Sequence, residues 1–141
     1  MKPDIIVTMT DMSGVESGSV DAIYSSHNIE HIYPHEIGIA LQNFDKVLKD
    51  DGFVMTTCPD LQSVCKLVAE DRLTVPAYTS PAGPIAPIDM LYGFRTSMAA
   101  GKLYMQHRPW FTQKTLIETF RHFGFESVAG GRSEKYFDLS L

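Results

Sequence analysis

The chain has 141 residues, a formal net charge of −5, and 44% hydrophobic against 21% charged residues. That suffices for one domain with a real core, is short for two, and is not the composition of a disordered chain. No Lys/Arg cluster is present to displace counterions from nucleic acid or to meet an anionic membrane, so neither partner is expected.

Ile5-Ile6-Val7-Thr8-Met9 is a β-branched apolar run and predicts a short buried strand. It ends at Thr10-Asp11-Met12, and residues 13–19 read as a loop. Val20 to Ser26 predicts a second strand, leading into His27-Asn28-Ile29-Glu30-His31-Ile32. Pro34 suits the first turn of a helix, where its missing N–H costs nothing. Behind it Ile37, Ala40, Leu41, Phe44, Val47 and Leu48 recur at helical spacing. Asp50-Asp51-Gly52 is expected to stop that helix through a glycine at positive φ. Phe53 to Cys58 predicts a third strand, central in its sheet. Asp60 is placed to cap a helix that buries Leu61, Val64, Leu67 and Val68.

From Thr74 the pattern changes. Pro76, Pro81, Pro84 and Pro87 predict a long loop without regular structure, of the kind that forms a lid or binding wall. Asp89 to Ala100 reads as a helix eased by Gly93. Thr112 caps a further helix with Leu116, Ile117, Phe120 and Phe123 on one face, stopped by Gly124. Phe125 to Ala129 predicts a fourth strand, Gly130-Gly131 a turn, and Tyr136 to Leu141 a last strand. Strand–helix–strand–helix order with short links predicts parallel βαβ units. The last two strands are too closely joined to be parallel, so a mixed sheet with an antiparallel last strand is expected.

Three spaced elements carry a family resemblance. Asp21 through Ile32, with its Glu30-His31 pair, resembles the fourth-strand motif of class I methyltransferases of the type 11 group. Val47-Leu48-Lys49-Asp50-Asp51-Gly52-Phe53 resembles the element before their fifth strand. Phe111-Thr112, Leu116 and Phe123-Gly124-Phe125 resemble their closing helix and sixth strand. The resemblance covers nearly the whole chain and corresponds to the C-terminal portion of the family's domain. It implies one partial domain over 1–141, of Rossmann-like α/β fold truncated at the N-terminus, with a substrate-side insertion at about 73–110.

By the same resemblance the chain is an S-adenosylmethionine-dependent methyltransferase acting on a small-molecule or glycan-like acceptor. The family's glycine-rich first turn and its ribose-binding carboxylate have no counterpart here. Asp11 and Met12 are the implied adenine-side residues, and Ser26 and His27 the implied lining of the methionine end. This agrees with the rule that open α/β sheets bind ligands beyond the carboxyl ends of their strands. Methyl transfer needs mostly an aligned acceptor. Tyr33, Tyr92, Arg95 and His107 are therefore candidate substrate contacts, and His31 a candidate general base. A noncatalytic remnant that keeps the fold and dimerises is the alternative.

His27-Asn28-Ile29-Glu30-His31 also matches the H-x-x-E-H pattern of inverted zinc proteases. Pro34 leaves little room for the helix that pattern needs, and no third carboxylate presents itself, so no metal is expected. Glu30 and His31 are expected to pack and hydrogen-bond at a strand–helix junction. Cys58 and Cys65 form no CxxC pair and read as buried thiols of a cytoplasmic chain. No apolar run reaches the length of a membrane span, and Met1-Lys2-Pro3-Asp4 does not open a signal peptide. An apolar central strand left with an unpaired edge predicts a homodimer, with residues 4–9 close to the strand at 20–26.

Overall fold

The computed structural model describes residues 3–133 and 135–141 of the chain; Met1 and Lys2, with which the leader reading begins, lie outside them. In chain order the elements are β1 (Val20–Ser26), α1 (Ile37–Val47), β2 (Leu48–Pro59), α2 (Leu61–Ala69), β3 (Tyr78–Ser80) and β4 (Gly83–Ile85). There follow α3 (Pro87–Tyr92), α4 (Arg95–Ala99), α5 (Gln113–His122), β5 (Gly131–Ser133) and β6 (Asp138–Ser140). The main sheet runs β1-β2-β6-β5. β1 and β2 are parallel, and β6 is antiparallel to both β2 and β5. The mixed sheet expected from the connection lengths is therefore present.

α1 buries Ala40, Leu41, Phe44 and Val47, the stripe its spacing predicts. α5 brings Leu116 and Phe120 onto the same core, with Ile29, Cys58 and Leu139 from the sheet side. Asp60 caps α2 by accepting from the Gln62 N–H at 3.1 Å, and Thr112 caps α5 by accepting from the Thr115 N–H at 3.2 Å. Asp60 is fully buried and takes Arg132 Nε at 2.9 Å, which ties the start of α2 to β5. α2 and α3 pack over a smaller cluster of Val64, Leu67, Ile85 and Met90.

Several expected elements differ. Residues 5–9 form no strand: Ile5, Ile6 and Val7 are 53%, 87% and 37% exposed, and only Thr8 and Asp11 bridge across a tight turn. β-branching favours extended backbone, but a strand exists through its partner's hydrogen bonds. None reach this segment from β1, so the expected pairing of residues 4–9 with that edge is absent. The outer edge of β1 has no strand partner among the described residues.

α1 ends at Val47, before the expected stop, and β2 begins at once. The ladder passes from Val20–Leu48 directly to Ala22–Phe53, so residues 49–52 bulge out. Gly52 serves close approach rather than a positive φ. A Cβ there would meet Leu48 Cδ2 at 2.9 Å and Asp21 O at 3.2 Å.

Phe125–Ala129 is irregular, and Gly131 opens β5 instead of turning the chain. The proline-rich stretch holds a hairpin, with Thr79 opposite Pro84. A two-stranded ribbon has free outer edges that tolerate a missing donor. The helix expected over 89–100 is two, α3 and α4, divided at Gly93 with φ +98°. No helix among the described residues is long and apolar enough to cross a membrane.

Candidate functional site

Parallel strands leave their carboxyl ends on one side, and here β1 and β2 both stop beside one cavity of about 720 Å³. That lies within the usual range for small-molecule sites. One wall is apolar, built from Met9, Met12, Ile23 and Tyr24. A second part of the lining comes from residues 78–105 and includes Tyr78, Ile85, Met90, Phe94 and Tyr104. The polar floor is the turn after β1, with His27, Asn28, Glu30 and His31, joined by His107 and Asp138.

His27 sits at the turn itself, with φ +51°. The conformation is uncommon outside glycine, and it aims the ring between two carboxylates. Nδ1 stands 3.2 Å from Glu30 Oε1, and Nε2 stands 3.4 Å from Asp138 Oδ2. Asp138 and then Glu30 raise the imidazole's pKa from 6.5 to about 10, so it is a cation at neutral pH.

Glu30 is 1% exposed and lies in a single 3₁₀ turn, Ile29–His31. Neither carboxylate oxygen has a hydrogen-bond partner among the described residues. The 3.2 Å approach of His27 is a charge contact rather than an aligned hydrogen bond. Burying a carboxylate so poorly satisfied is costly. Glu30 therefore packs as expected, but its side chain makes no hydrogen bond among the described residues. The helix that an H-x-x-E-H zinc motif needs is absent.

His31 Nδ1 lies 3.1 Å from Gln106 O, and His107 Nδ1 lies 2.6 Å from Met90 O. A carbonyl only accepts, so each ring carries a proton on Nδ1, and in the neutral ring Nε2 keeps the lone pair. The rings stand edge to face with centroids 4.9 Å apart. Burial first of all holds the His107 pKa below its ordinary value. Arg108 donates to His31 O and lies 4.2 Å over the Tyr33 ring. Its backbone N–H donates to Glu30 O at 2.8 Å, so the segment carrying His107 is stitched to the turn after β1.

Of the residues singled out from sequence, Met12, His27, His31 and His107 line the cavity together. Asp11, Ser26, Tyr33, Tyr92 and Arg95 do not. Asp11 is exposed and accepts from the Ser13 N–H at 3.1 Å, and hydrogen bonding to Ser13 keeps its pKa low. Ser26 Oγ pairs with Thr57 Oγ1 at 2.9 Å on the neighbouring strand. Tyr92 is 61% exposed. Arg95 Nε donates to Asp89 Oδ1 at 2.7 Å, so it reaches the cavity only by fixing a lining carboxylate. Asp138, Asp89 and Tyr104 were not anticipated. Nothing local marks them, because the fold alone brings them to this end of the sheet.

Residues 3–56 match the family described as "Methyltransferase domain". The match falls on the N-terminal part of this chain, not the C-terminal part, so the closing elements at Phe111–Thr112 and Phe123–Phe125 lie outside it. No curated protein matches the chain. Among solved structures it is similar to a SAM dependent methyltransferase from Archaeoglobus fulgidus, at TM-score 0.54 and 14% identity, covering 89% of this chain and 43% of that one. It is also similar to the PH0226 protein from Pyrococcus horikoshii OT3, at TM-score 0.56 and 15% identity, covering 96% and 58% respectively. This chain thus spans about half the length of the solved chains it matches and shares their Rossmann-like fold.

Proposed function

We propose, for a chain with the class I methyltransferase fold and a methyltransferase-domain match over residues 3–56, that the cavity binds S-adenosylmethionine beside a small-molecule acceptor. One observation carries the reading. The segments 7–12 and 23–32, both inside the matched region, form one wall and the floor of the cavity at the carboxyl ends of β1 and β2.

The residues present fit such a cofactor in two respects. The apolar wall of Met9, Met12, Ile23 and Tyr24 suits a flat base, and buried Glu30, with its oxygens unbonded, suits a cationic group. When bound, S-adenosylmethionine supplies an electrophilic methyl group on sulfonium. The chain's own part is then to hold the acceptor in line and keep water out. The wall from the 73–110 insertion serves that end, and a glycan-like metabolite is one acceptor class of the right size. The free Nε2 of His31 is the group to take a proton from an acceptor hydroxyl or amine. A cytoplasmic setting and pairing of two copies through the open edge of β1 belong to the same reading. Light scattering at micromolar chain concentration tests the pairing, and a clear monomer overturns it.

Titration calorimetry with S-adenosylmethionine and S-adenosylhomocysteine is the direct test. The reading expects saturable heat with both, and no binding at millimolar ligand overturns it for this chain. The noncatalytic alternative is favoured by Asp11, which is turned out to solvent instead of into the cavity. A folded chain that binds neither ligand is its expected result.

A further inference from the structure

We infer that Glu30, His31 and His107 form a binding site for a divalent metal ion of the zinc class, opening into the cavity. The inference goes beyond the cofactor reading and is an alternative to it at Glu30, whose carboxylate would hold the ion in place of a cationic group of the cofactor. One donor atom from each of the three side chains lies within 4.8 Å of the others.

Three features distinguish this cluster from a chance grouping. First, both imidazoles donate Nδ1–H to backbone carbonyls, of Gln106 and Met90. Such bonds fix the tautomer and ring orientation of a metal-ligating histidine and leave Nε2 to the ion. Second, Glu30 is 1% exposed with neither carboxylate oxygen hydrogen-bonded among the described residues. His27 comes nearest at Oε1, 3.2 Å away, and neither oxygen is hydrogen-bonded among the described residues, so the carboxylate has lone pairs open to an ion. Third, the guanidinium of Arg108 beside the cluster is already engaged, with the His31 carbonyl and the Tyr33 ring.

Two imidazoles and one carboxylate, with the remaining position left to water or substrate, is a donor set that zinc takes. Ligands at zinc distances lie about 3.4 Å from one another in a tetrahedron, so the donors must draw in by up to about 1 Å on binding. His31 and His107 are half-buried at the cavity wall, which leaves them room to do so. The open position would face the cavity and take water or an oxygen donor of a small molecule. In the metal-loaded chain the His31 lone pair is taken, so the ion rather than the ring would lower the acceptor's pKa.

The test is titration of the metal-stripped chain with zinc chloride, followed by calorimetry, without any methyl donor present. One zinc per chain is expected, with much weaker binding of magnesium, which prefers all-oxygen sites. His31→Ala and His107→Ala should each weaken zinc binding by about 100-fold or more, at or beyond the limit for outer-shell partners. His35→Ala, on the exposed ring stacked on Tyr33, should leave it unchanged. Circular dichroism confirms that each variant is folded. Should the alanine variants unfold, X-ray absorption of zinc-loaded wild type reads the ligands directly, and two imidazoles are expected. No zinc binding overturns the inference. So do binding that survives both histidine variants, equal affinity for magnesium, and an absorption spectrum without imidazole.

Discussion

Replacing His27 by alanine removes the one cation that touches buried Glu30 among the described residues. Breaking a fully buried ion pair by deleting one partner costs about 3–5 kcal/mol, whereas an exposed pair is worth about 1 kcal/mol or less. Glu30 is 2% exposed at its side chain, but His27 is 46% exposed, and the space it vacates admits water. An intermediate loss of about 2 kcal/mol follows. For a domain of this size that lowers Tm by about 6–8 °C. Alanine also inherits the left-handed backbone at φ +51°. Glycine adopts that conformation freely, so His27→Gly should lose about 1 kcal/mol less than His27→Ala. The pH dependence has a definite sign. The folded-state pKa is raised from 6.5 to about 10, first by Asp138 and then by Glu30. The cation's stabilisation is therefore complete below pH 6.5 and disappears as pH rises through 10. Urea unfolding of wild type and His27→Ala between those limits should show the gap closing. A gap that stays constant across that range, or an alanine variant as stable as wild type at pH 7, would refute the charge arrangement.

Gly93→Ala should be disruptive, since its Cβ would lie 2.0 Å from Met105 O at φ +98°, whereas Gly101→Ala meets nothing within 4 Å and bears only the φ strain. Thermal melts should show a loss of about 3 kcal/mol or more for the first and about 1 kcal/mol for the second. Leu116→Ala empties a fully buried position between α5 and the sheet and should cost about 3 kcal/mol by denaturant unfolding, with little change in m. Burial holds the Cys58 thiol well above its ordinary pKa, while Cys65 is exposed. A thiol reagent should therefore modify one cysteine rapidly in the native chain and both only in denaturant.

Elements with their own local signals were legible in the sequence. The caps Asp60 and Thr112, the α1 stripe and the Gly124 stop all depend on neighbours within a few residues, and all are present. Elements that depend on a distant partner were not. Ile5–Val7 has strand-forming side chains but no ladder to join, and Gly131–Ser133 is a strand only because Asp138–Ser140 lies beside it. The early end of α1 is similar, because pairing of Leu48 with Val20 captures a residue that its spacing assigned to the helix. The site divides the same way. His27 and His31 follow the end of β1, a position the strand pattern marked, whereas Met12 follows no strand and was implied by the resemblance alone. His107 was named as a substrate contact, but its approach to Glu30 and His31 is a product of the fold, since more than 70 residues separate them. Asp11 and Ser26 had the right neighbourhood and the wrong direction, which spacing alone does not encode.

Among the described residues β1 is paired with a strand on one side only, and its amides should exchange with deuterium in alternation. His27 N–H donates to Thr57 O, and Ser25 O accepts from Thr56 Oγ1, so the odd-numbered positions at this end of the strand address β2. In a parallel ladder the intervening residues address the other side. Tyr24 and Ser26 therefore present their N–H groups to an edge with no strand among the described residues. Those amides should exchange far faster than Ile23 and Ser25 in the same strand. Any strand that docks on this edge, from a second copy or from another chain, would write its register as protection at Tyr24 and Ser26.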